Sequence, residues 1–355
     1  MADELFREMQ KRLDMYSLGF PATKSNIEIR ILKKLFSEDD ARLFMAMSPR
    51  LEEPDAVAAR VGRPVADVAA QLEAMAGKGL LFRARKGESV KYGAIPFMHG
   101  LIEFQITRFN RELGEMLEEY FTEGFHGAIA ASEGLFMRTI PVQKSIVPEN
   151  RVAAYEDAVQ ILRSADTIAV AECVCRKAKK LQDKGCGKPL ETCFMFGSMA
   201  RFYVENKLGR AVSADEAIQI VAKAQEAGLV TQPATAQNPA GMCCCCGDCC
   251  GVLGAIKKHP RPAEIVFSNY QAQVDAGACT GCESCLERCQ MDAITMGADG
   301  IARVDPGRCI GCGLCVTDCA AEAISLTIKG AGEYRVPPAT SAEQMLNLAK
   351  KRGVL

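Results

Sequence analysis

The chain has 355 residues with 43 basic and 44 acidic side chains, so its formal net charge is -1. This balance excludes a general electrostatic attraction to nucleic acid or to anionic membranes. The longest apolar stretch, residues 167–175, is too short to span a bilayer, and the amphipathic N-terminus lacks the apolar core of a signal peptide. We therefore expect a cytoplasmic protein with no membrane span and several domains.

The N-terminal region, residues 1–95, predicts helices followed by a hairpin. Apolar residues at helical spacing predict helices over 39–48, 53–62 and 64–79, the last two forming a helix–turn–helix. Residues 80–95 predict two short strands around Lys86-Gly87-Glu88. This order of elements resembles a winged-helix domain.

Winged-helix domains often bind DNA through the second helix of the turn. Here the interior of that helix has no basic residue, and its polar side presents Asp67, Gln71 and Glu73. The hairpin is basic, since it contains Arg83, Arg85, Lys86 and Lys91. Because a phosphate-binding helix should be basic, we expect a partner other than DNA. We expect docking or formation of a homo-oligomer instead.

The next region, residues 96–165, predicts mainly helical connecting structure, beginning with a long amphipathic helix over 96–121. An apolar strand over 167–171 then leads to Cys173-Val174-Cys175. A helix over 213–227 begins with Ser213 and Glu216, which are spaced as a capping box. Residues 166–262 therefore form a mixed α/β domain that is rich in cysteine.

The eighteen cysteines are the strongest chemical signal in the sequence. Disulfides are not expected in a reducing compartment, and thiolates that are packed together repel one another unless they share a cation. Metal ligation is therefore the default interpretation, with zinc or iron–sulfur clusters as the candidates.

Eight cysteines near the C-terminus form two copies of the pattern C-x2-C-x2-C-x3-C, offset by 30 residues. Residues 273–296 also align without a gap on residues 303–326. The two half-domains, which span residues 266–329, resemble the bacterial dicluster ferredoxin. The cysteines are Cys279, Cys282, Cys285 and Cys289 in the first copy and Cys309, Cys312, Cys315 and Cys319 in the second.

The resemblance implies two [4Fe–4S] clusters with crossed ligand sets, since in that family the fourth cysteine of each run ligates the other cluster. One cluster would take Cys279, Cys282, Cys285 and Cys319, and the other would take Cys309, Cys312, Cys315 and Cys289. Gly281 and Gly311 would let backbone amides approach the sulfides. The sequence departs from the family pattern where Gln290 and Ala320 replace the usual proline after the fourth cysteine. Zinc would need neither the crossing nor the repeat.

The other ten cysteines lie between residues 173 and 250, six of them in the run MCCCCGDCCG. In an extended segment Cys243 and Cys245 point one way and Cys244 and Cys246 the other. In a helical turn Cys246 would align with Cys249 and Cys250. Either conformation divides the run between different partners. The candidate ligands are Cys173, Cys175, Cys186, Cys193, Cys243, Cys245, Cys246, Cys249 and Cys250.

Three divisions of these thiols stay open. The thiols could hold one further cubane, or they could hold either two clusters or one unusual cluster. In the third division they bind zinc or form a thiol pair, without iron. Arg176 directly follows Cys175, and a cation there would raise the potential of an anionic cluster. His99, His126 and His259 are isolated in the sequence and are expected to be surface or packed residues.

The predicted fold is an α+β multidomain chain. It comprises an N-terminal winged helix with a preceding helix (1–95), a helical connecting region (96–165), a mixed α/β cysteine-rich middle domain (166–262), a C-terminal ferredoxin-like dicluster domain (263–330) and a tail helix (331–355). This order, with AECVCR and PLETC in the middle domain, resembles a family of iron–sulfur proteins from anaerobes. The resemblance gives no substrate.

Three functions fit these features. The first is electron transfer to or from an oxidoreductase or other redox protein, for which the acidic ferredoxin half offers a docking surface. The second is an oxidoreductase with a catalytic cluster or reactive thiols in the middle domain. The third is a redox-responsive regulator that binds DNA through the winged helix.

Overall fold

A computed structural model describes residues 2–48, 50–146, 153–330 and 332–354. Within residues 2–48 and 50–95, the N-terminal region contains five helices and one antiparallel hairpin. These are α1 (Ala2–Asp14), α2 (Ile27–Leu35), α3 (Glu38–Ala46), α4 (Pro54–Val61), α5 (Val65–Gly77), β1 (Phe82–Lys86) and β2 (Ser89–Gly93).

The predicted elements of this region are present near their predicted positions. Ser37 caps α3 by accepting a hydrogen bond from the backbone N–H of Asp40, and α4 ends at Gly62, whose φ of 66° is left-handed. Glu52 forms an isolated antiparallel bridge with Tyr92, which extends the hairpin by one short segment. The interpretation of this region as a winged helix stays a prediction.

The long helix predicted over 96–121 is wrong in its first half. Residues Phe97–Leu101 form a single wide turn in which Met98 and His99 have non-helical backbone angles. A 3-10 turn follows at Glu103–Gln105, and helix α6 (Arg111–Tyr120) begins only after Asn110, whose side chain accepts a hydrogen bond from the N–H of Leu113. The apolar spacing continues through the break because both halves bury side chains in the same core. Helix α7 (His126–Ala131) follows a second wide turn.

The middle domain is a five-stranded antiparallel sheet with the order β5-β3-β4-β7-β6. Different hydrophobic cores cover its two faces, so alternate residues of each strand enter different cores. The elements are α8 (Ala158–Ser164), β3 (Ile168–Glu172), α9 (Val174–Lys180), β4 (Glu191–Phe196), α10 (Gly197–Glu205), β5 (Arg210–Val212), α11 (Ala214–Glu226), β6 (Val230–Pro233), β7 (Gly241–Cys245) and α12 (Gly251–Lys258).

The C-terminal part has two short antiparallel pairs, β8 with β11 and β9 with β10. The pairing follows the sequence repeat, because the first strand of each copy pairs with the last strand of the other copy. The elements are α13 (Pro262–Ile265), β8 (Tyr270–Val274), α14 (Ser284–Arg288), β9 (Ile294–Met296), β10 (Ala302–Val304), α15 (Leu314–Thr317), β11 (Ile324–Ile328) and a last helix, α16 (Ser341–Arg352).

A buried carboxylate joins the connecting region to the C-terminal part. Glu156 accepts hydrogen bonds from the side chains of Asn269 at 2.7 Å, Tyr270 at 3.0 Å and Tyr334 at 3.2 Å. Three donors satisfy the buried charge, so this contact fixes the C-terminal part against the rest of the chain. In the described ranges, every helix falls short of the length and hydropathy that crossing a bilayer would require.

Candidate metal centres

The eight C-terminal cysteines surround two separate small cavities. Cys279, Cys282, Cys285 and Cys319 line the first, and Cys289, Cys309, Cys312 and Cys315 line the second. Each cavity takes three thiols from one copy of the repeat and one from the other, as the ferredoxin resemblance implied. We call them the outer cavity and the inner cavity, because Cys282 is exposed whereas Cys309 and Cys315 are buried.

Backbone amides donate to thiols in a crossed, symmetric pattern. The N–H of Ala302 lies 3.5 Å from the Sγ of Cys279, and the N–H of Ala272, its equivalent in the other copy, lies 3.4 Å from the Sγ of Cys309. Burial raises the pKa of Cys312 to about 12, so this thiol becomes a thiolate only if a cation shares its charge. Four thiols and inward-pointing amides fit a thiolate-ligated cluster in each cavity.

Gly281 and Gly311 have left-handed backbone angles, with φ of 70° and 66°. A Cβ at Gly281 would lie 2.6 Å from the carbonyl oxygen of Gly300, and a Cβ at Gly311 would lie 2.2 Å from that of Tyr270. Neither distance is possible for a side chain. Glycine is therefore required at both positions because a backbone carbonyl approaches closely. This reason is separate from the predicted approach of backbone amides to sulfide.

The next equivalent pair differs between the copies. Gly313 has φ of 77°, and a Cβ there would lie 2.1 Å from the Oγ of Ser145 in the connecting region. The equivalent residue in the first copy, Glu283, has the same left-handed backbone with φ of 63° and is exposed. At this position the second copy is thus packed against the connecting region, whereas the first copy faces solvent.

Six of the middle-domain thiols form one contiguous group beside the sheet. Cys193 and Cys243 are cross-strand partners with their sulfurs 3.6 Å apart. Contacts between thiols continue from Cys243 to Cys245 and from Cys245 to Cys250. Cys250 then contacts Cys175, which contacts Cys173. The members of this six-thiol group are Cys173, Cys175, Cys193, Cys243, Cys245 and Cys250.

Three other thiols form a second group. Cys186, Cys246 and Cys249 have sulfurs within 4.8 Å of one another, and those of Cys186 and Cys246 are 3.8 Å apart. A hydrogen bond donated by Cys249 and the charge of Arg176 lower the pKa of Cys246. Both favour the thiolate form in this three-thiol group, which is the form that binds a metal.

The sheet separates the two groups, as the alternation of an extended strand predicts. Cys193, Cys245 and Cys250 lie in the core of one face, whereas Cys244, Cys246 and Cys249 lie in the core of the other. Cys244 faces its cross-strand partner Thr231. The helical alternative is correct only in part, because Cys246 joins Cys249 but Cys250 belongs to the other group.

Arg176 lies buried between the two groups. Its guanidinium donates to the carbonyl oxygen of Cys244 at 3.0 Å, and Nη1 lies 4.0 Å from the Sγ of Cys246. Burial alone would lower the pKa of Arg176, but charge on Cys173, Cys245 and Cys246 raises it. The predicted cation beside the thiols is therefore in contact with the three-thiol group and within electrostatic range of the six-thiol group.

His99 lies against the six-thiol group, a contact that no sequence pattern predicted. Its imidazole lies beside the thiol of Cys243, and its ring packs on Phe136 with centroids 4.4 Å apart. The expectation of a surface or packed residue is incomplete, because the packing places the imidazole against a candidate ligand. The residue lies far from the cysteines in sequence, so no spacing pattern could have revealed the contact.

Both copies of the repeat contact the middle domain near the loop of the three-thiol group. The side-chain oxygen of Gln290 accepts a hydrogen bond from the backbone N–H of Gly247 at 2.8 Å, with both groups buried. Arg308 donates to the carbonyl oxygen of Lys257 at 3.1 Å, and Lys257 forms an ion pair with Asp292 at 2.9 Å. Gln290, which stands where the family usually has proline, therefore provides a contact between the C-terminal part and the middle domain.

A cavity of about 450 Å³ reaches both groups of middle-domain thiols. Cys175 and Cys250 of the six-thiol group and Cys249 of the three-thiol group line it. The other walls combine apolar and charged side chains, namely Met98, Ile102, Phe109, Leu117, Phe121 and Val174 with Glu118, Lys179, Asp248, Lys257, Lys258 and Asp292. His126 also lines the cavity, and burial together with Lys258 lowers its pKa to about 4.

Residues 278–323 match the model of a protein family described as a 4Fe-4S dicluster domain. No curated protein and no solved structure matches the chain. The C-terminal part is therefore an iron–sulfur domain, which confirms the resemblance stated for that region. The match begins after the middle domain, so further clusters there are still predictions.

Proposed function

We propose that the protein is an iron–sulfur electron-transfer protein or subunit of anaerobic metabolism. In this proposal the outer and inner cavities each hold a [4Fe–4S] cluster, and the middle domain holds at least one more. Bound clusters would supply one-electron carriers, and the thiols of each cavity and group would be their ligands.

One observation supports this proposal most strongly, namely the order of the three sites from the surface to the middle domain. Cys282 of the outer cavity is exposed, whereas Gln290 directly follows Cys289 of the inner cavity and bonds to Gly247 in the three-thiol loop. The three sites therefore follow one another from the surface to the middle domain. Such a sequence suits electron entry or exit at the outer cavity and transfer through the inner one.

The partner would dock at the outer cavity. Asp275, Glu283 and Glu287 are exposed beside its cysteines, so a redox protein with a basic patch is the complementary partner. The N-terminal region would dock on a further subunit or a second copy. It is poorly suited to DNA, because Arg83 and Arg85 of the hairpin form ion pairs with Glu73 and Glu205.

Iron and sulfide counting on the anaerobically purified full chain tests the proposal, together with EPR of the reduced protein. We expect more than the roughly eight iron atoms of two cubanes. The variant Cys243→Ser should lose the excess iron, whereas Cys244→Ser should retain it, because Cys244 faces Thr231. A count near eight in the wild type, or equal loss in the two variants, would contradict the central cluster.

The cavity favours a second function, an oxidoreductase that acts on a small molecule beside the middle-domain thiols. Its volume of about 450 Å³ is within the range of small-molecule sites, and its mixture of apolar walls and lysines suits an anion with an apolar body. His126 is neutral at pH 7, because its pKa is lowered to about 4, so it could donate or accept a hydrogen bond there.

The two functions differ in how the middle domain responds to small ligands. For an oxidoreductase, added thiols should change the EPR spectrum of the central cluster, and Ala178→Trp, which fills the cavity, should abolish the change. A spectrum indifferent to thiols would favour electron transfer alone. DNA binding that depends on cluster oxidation would instead support the regulator hypothesis.

A further inference from the structure

The backbone around His99 is unusual for a residue with a side chain. His99 has φ of 55° and ψ of 41°, within the wide turn Phe97–Leu101 that interrupts the predicted helix. A left-handed conformation is unfavourable for a residue that has a Cβ. Such residues concentrate at functional sites, where the surrounding structure holds them in place.

The surroundings of His99 resemble those of a metal-binding imidazole. One neighbour is the thiol of Cys243, which also contacts Cys193 and Cys245. Another is the carboxyl group of Glu103, which is close enough to interact electrostatically with the imidazole. Glu103 is buried, and its Oε2 accepts a hydrogen bond from the N–H of Gly100 at 3.0 Å. Ligating histidines commonly have a carboxylate as their second partner, which fixes the orientation of the ring.

We propose that His99 is a nitrogen ligand of the iron–sulfur cluster held by the six-thiol group, and that Glu103 positions its imidazole. The inference rests on the central cluster of the proposed function. The site would then combine six thiolates with one imidazole, a donor set larger than the four corners of one cubane require. It would suit a larger or non-cubane cluster.

An imidazole ligand has a specific consequence. It is neutral where a thiolate is negative, so a cluster with one histidine ligand has less negative charge and a higher potential. Substitution of His99 by cysteine should therefore retain iron and lower the midpoint potential of the central cluster. The ferredoxin-type cavities contain only thiol ligands, so their potentials should not move.

Pulsed EPR of the reduced full-length protein, grown with 15N-labelled histidine, tests the proposal directly. We expect a nitrogen coupling of the size of a directly bound imidazole. It should vanish in His99→Gln and persist in His126→Gln and His259→Gln, which alter the other two histidines of the chain. The wild-type measurement stands even if His99→Gln fails to fold.

Three outcomes would overturn the inference. Excess iron without the coupling of a bound nitrogen would support the central cluster but show that His99 is not one of its ligands. A weak coupling only, with unchanged iron in His99→Gln, would make His99 a hydrogen-bond donor to Cys243. A wild-type iron count near eight would remove the central cluster itself, so this failure is distinguishable from the other two.

Discussion

The side chain of Gln290 and the backbone of Gly247 join two parts of the chain by one buried hydrogen bond of 2.8 Å. Gln290 follows a thiol of the inner cavity, and Gly247 follows a thiol of the three-thiol group. A Cβ on Gly247 would lie 2.6 Å from the carbonyl oxygen of Gln290, so only glycine permits the approach. The path from the thiol of Cys289 in the inner cavity to that of Cys246 in the three-thiol group therefore consists of a few covalent bonds and one hydrogen bond.

Replacement of Gln290 by the proline usual in ferredoxins should disrupt this junction. Gln290→Pro would leave the N–H of Gly247 buried without an acceptor, at a cost of about 1–3 kcal/mol. We expect a lower free energy of unfolding in anaerobic denaturant titrations and slower electron transfer between the two parts after rapid reduction. Ala320→Pro, at the equivalent exposed position of the other copy, is the control. Equal effects of the two substitutions would contradict the role of the contact.

Gly311 should be essential for the inner cavity. A Cβ there would overlap the carbonyl oxygen of Tyr270, so Gly311→Ala must displace β8 or the cysteine loop. We expect loss of the four iron atoms of one cubane, measured by iron counting. Gly300→Ala is the matched control, because Gly300 also has positive φ, at 73°, but open space around its Cβ. It should cost only about 1–2 kcal/mol and retain iron.

Arg176 should raise the midpoint potential of a cluster bound by the three-thiol group. Removal of its charge by Arg176→Met should favour the oxidised state of a bound cluster and lower its midpoint potential by roughly 50 mV, equivalent to about 1 kcal/mol for one electron. Lys177→Met is the control, since Lys177 pairs with Glu172 at 2.7 Å. Redox titration monitored by EPR would measure both. An unchanged potential in Arg176→Met, with full iron content, would contradict the electrostatic role.

The N-terminal region should lose stability in acid through Glu52. The hydrogen bond from Arg60 lowers the pKa of Glu52 from 4.5 to about 2. A lowered folded-state pKa contributes stability above the unfolded-state pKa, and the contribution disappears as pH falls from about 4.5 towards 2. After allowance for solvent screening of Arg60, it is on the order of 1 kcal/mol. The hydrogen-exchange protection factors over residues 38–93, which correct for the slower intrinsic exchange in acid, should therefore fall less on acidification in Glu52→Gln than in the wild type. An equal loss of protection would contradict the prediction.

Local patterns in the sequence predicted the elements that local physics determines. Helix α11 begins at its predicted cap, where Ser213 accepts a hydrogen bond from the N–H of Glu216 at 3.1 Å. Strand alternation also predicted that Cys243 and Cys245 would separate from Cys244 and Cys246, because β7 is extended as far as Cys245.

Contacts between distant segments could not be predicted in this way. Cys249 and Cys250 are adjacent in sequence but join different groups, since their partners Cys186 and Cys175 come from different segments. The break in the helix predicted over 96–121 has the same origin. His99 adopts non-helical angles within the turn whose side chains contact the thiols and the core, and no residue spacing encodes that contact.

The difference between Glu283 and Gly313 makes the two copies unequally tolerant of substitution. The approach of Ser145 excludes any side chain at Gly313, whereas the same backbone conformation carries an exposed, charged side chain at Glu283. Position 283 can therefore be varied or labelled without a steric conflict with the connecting region, and position 313 cannot.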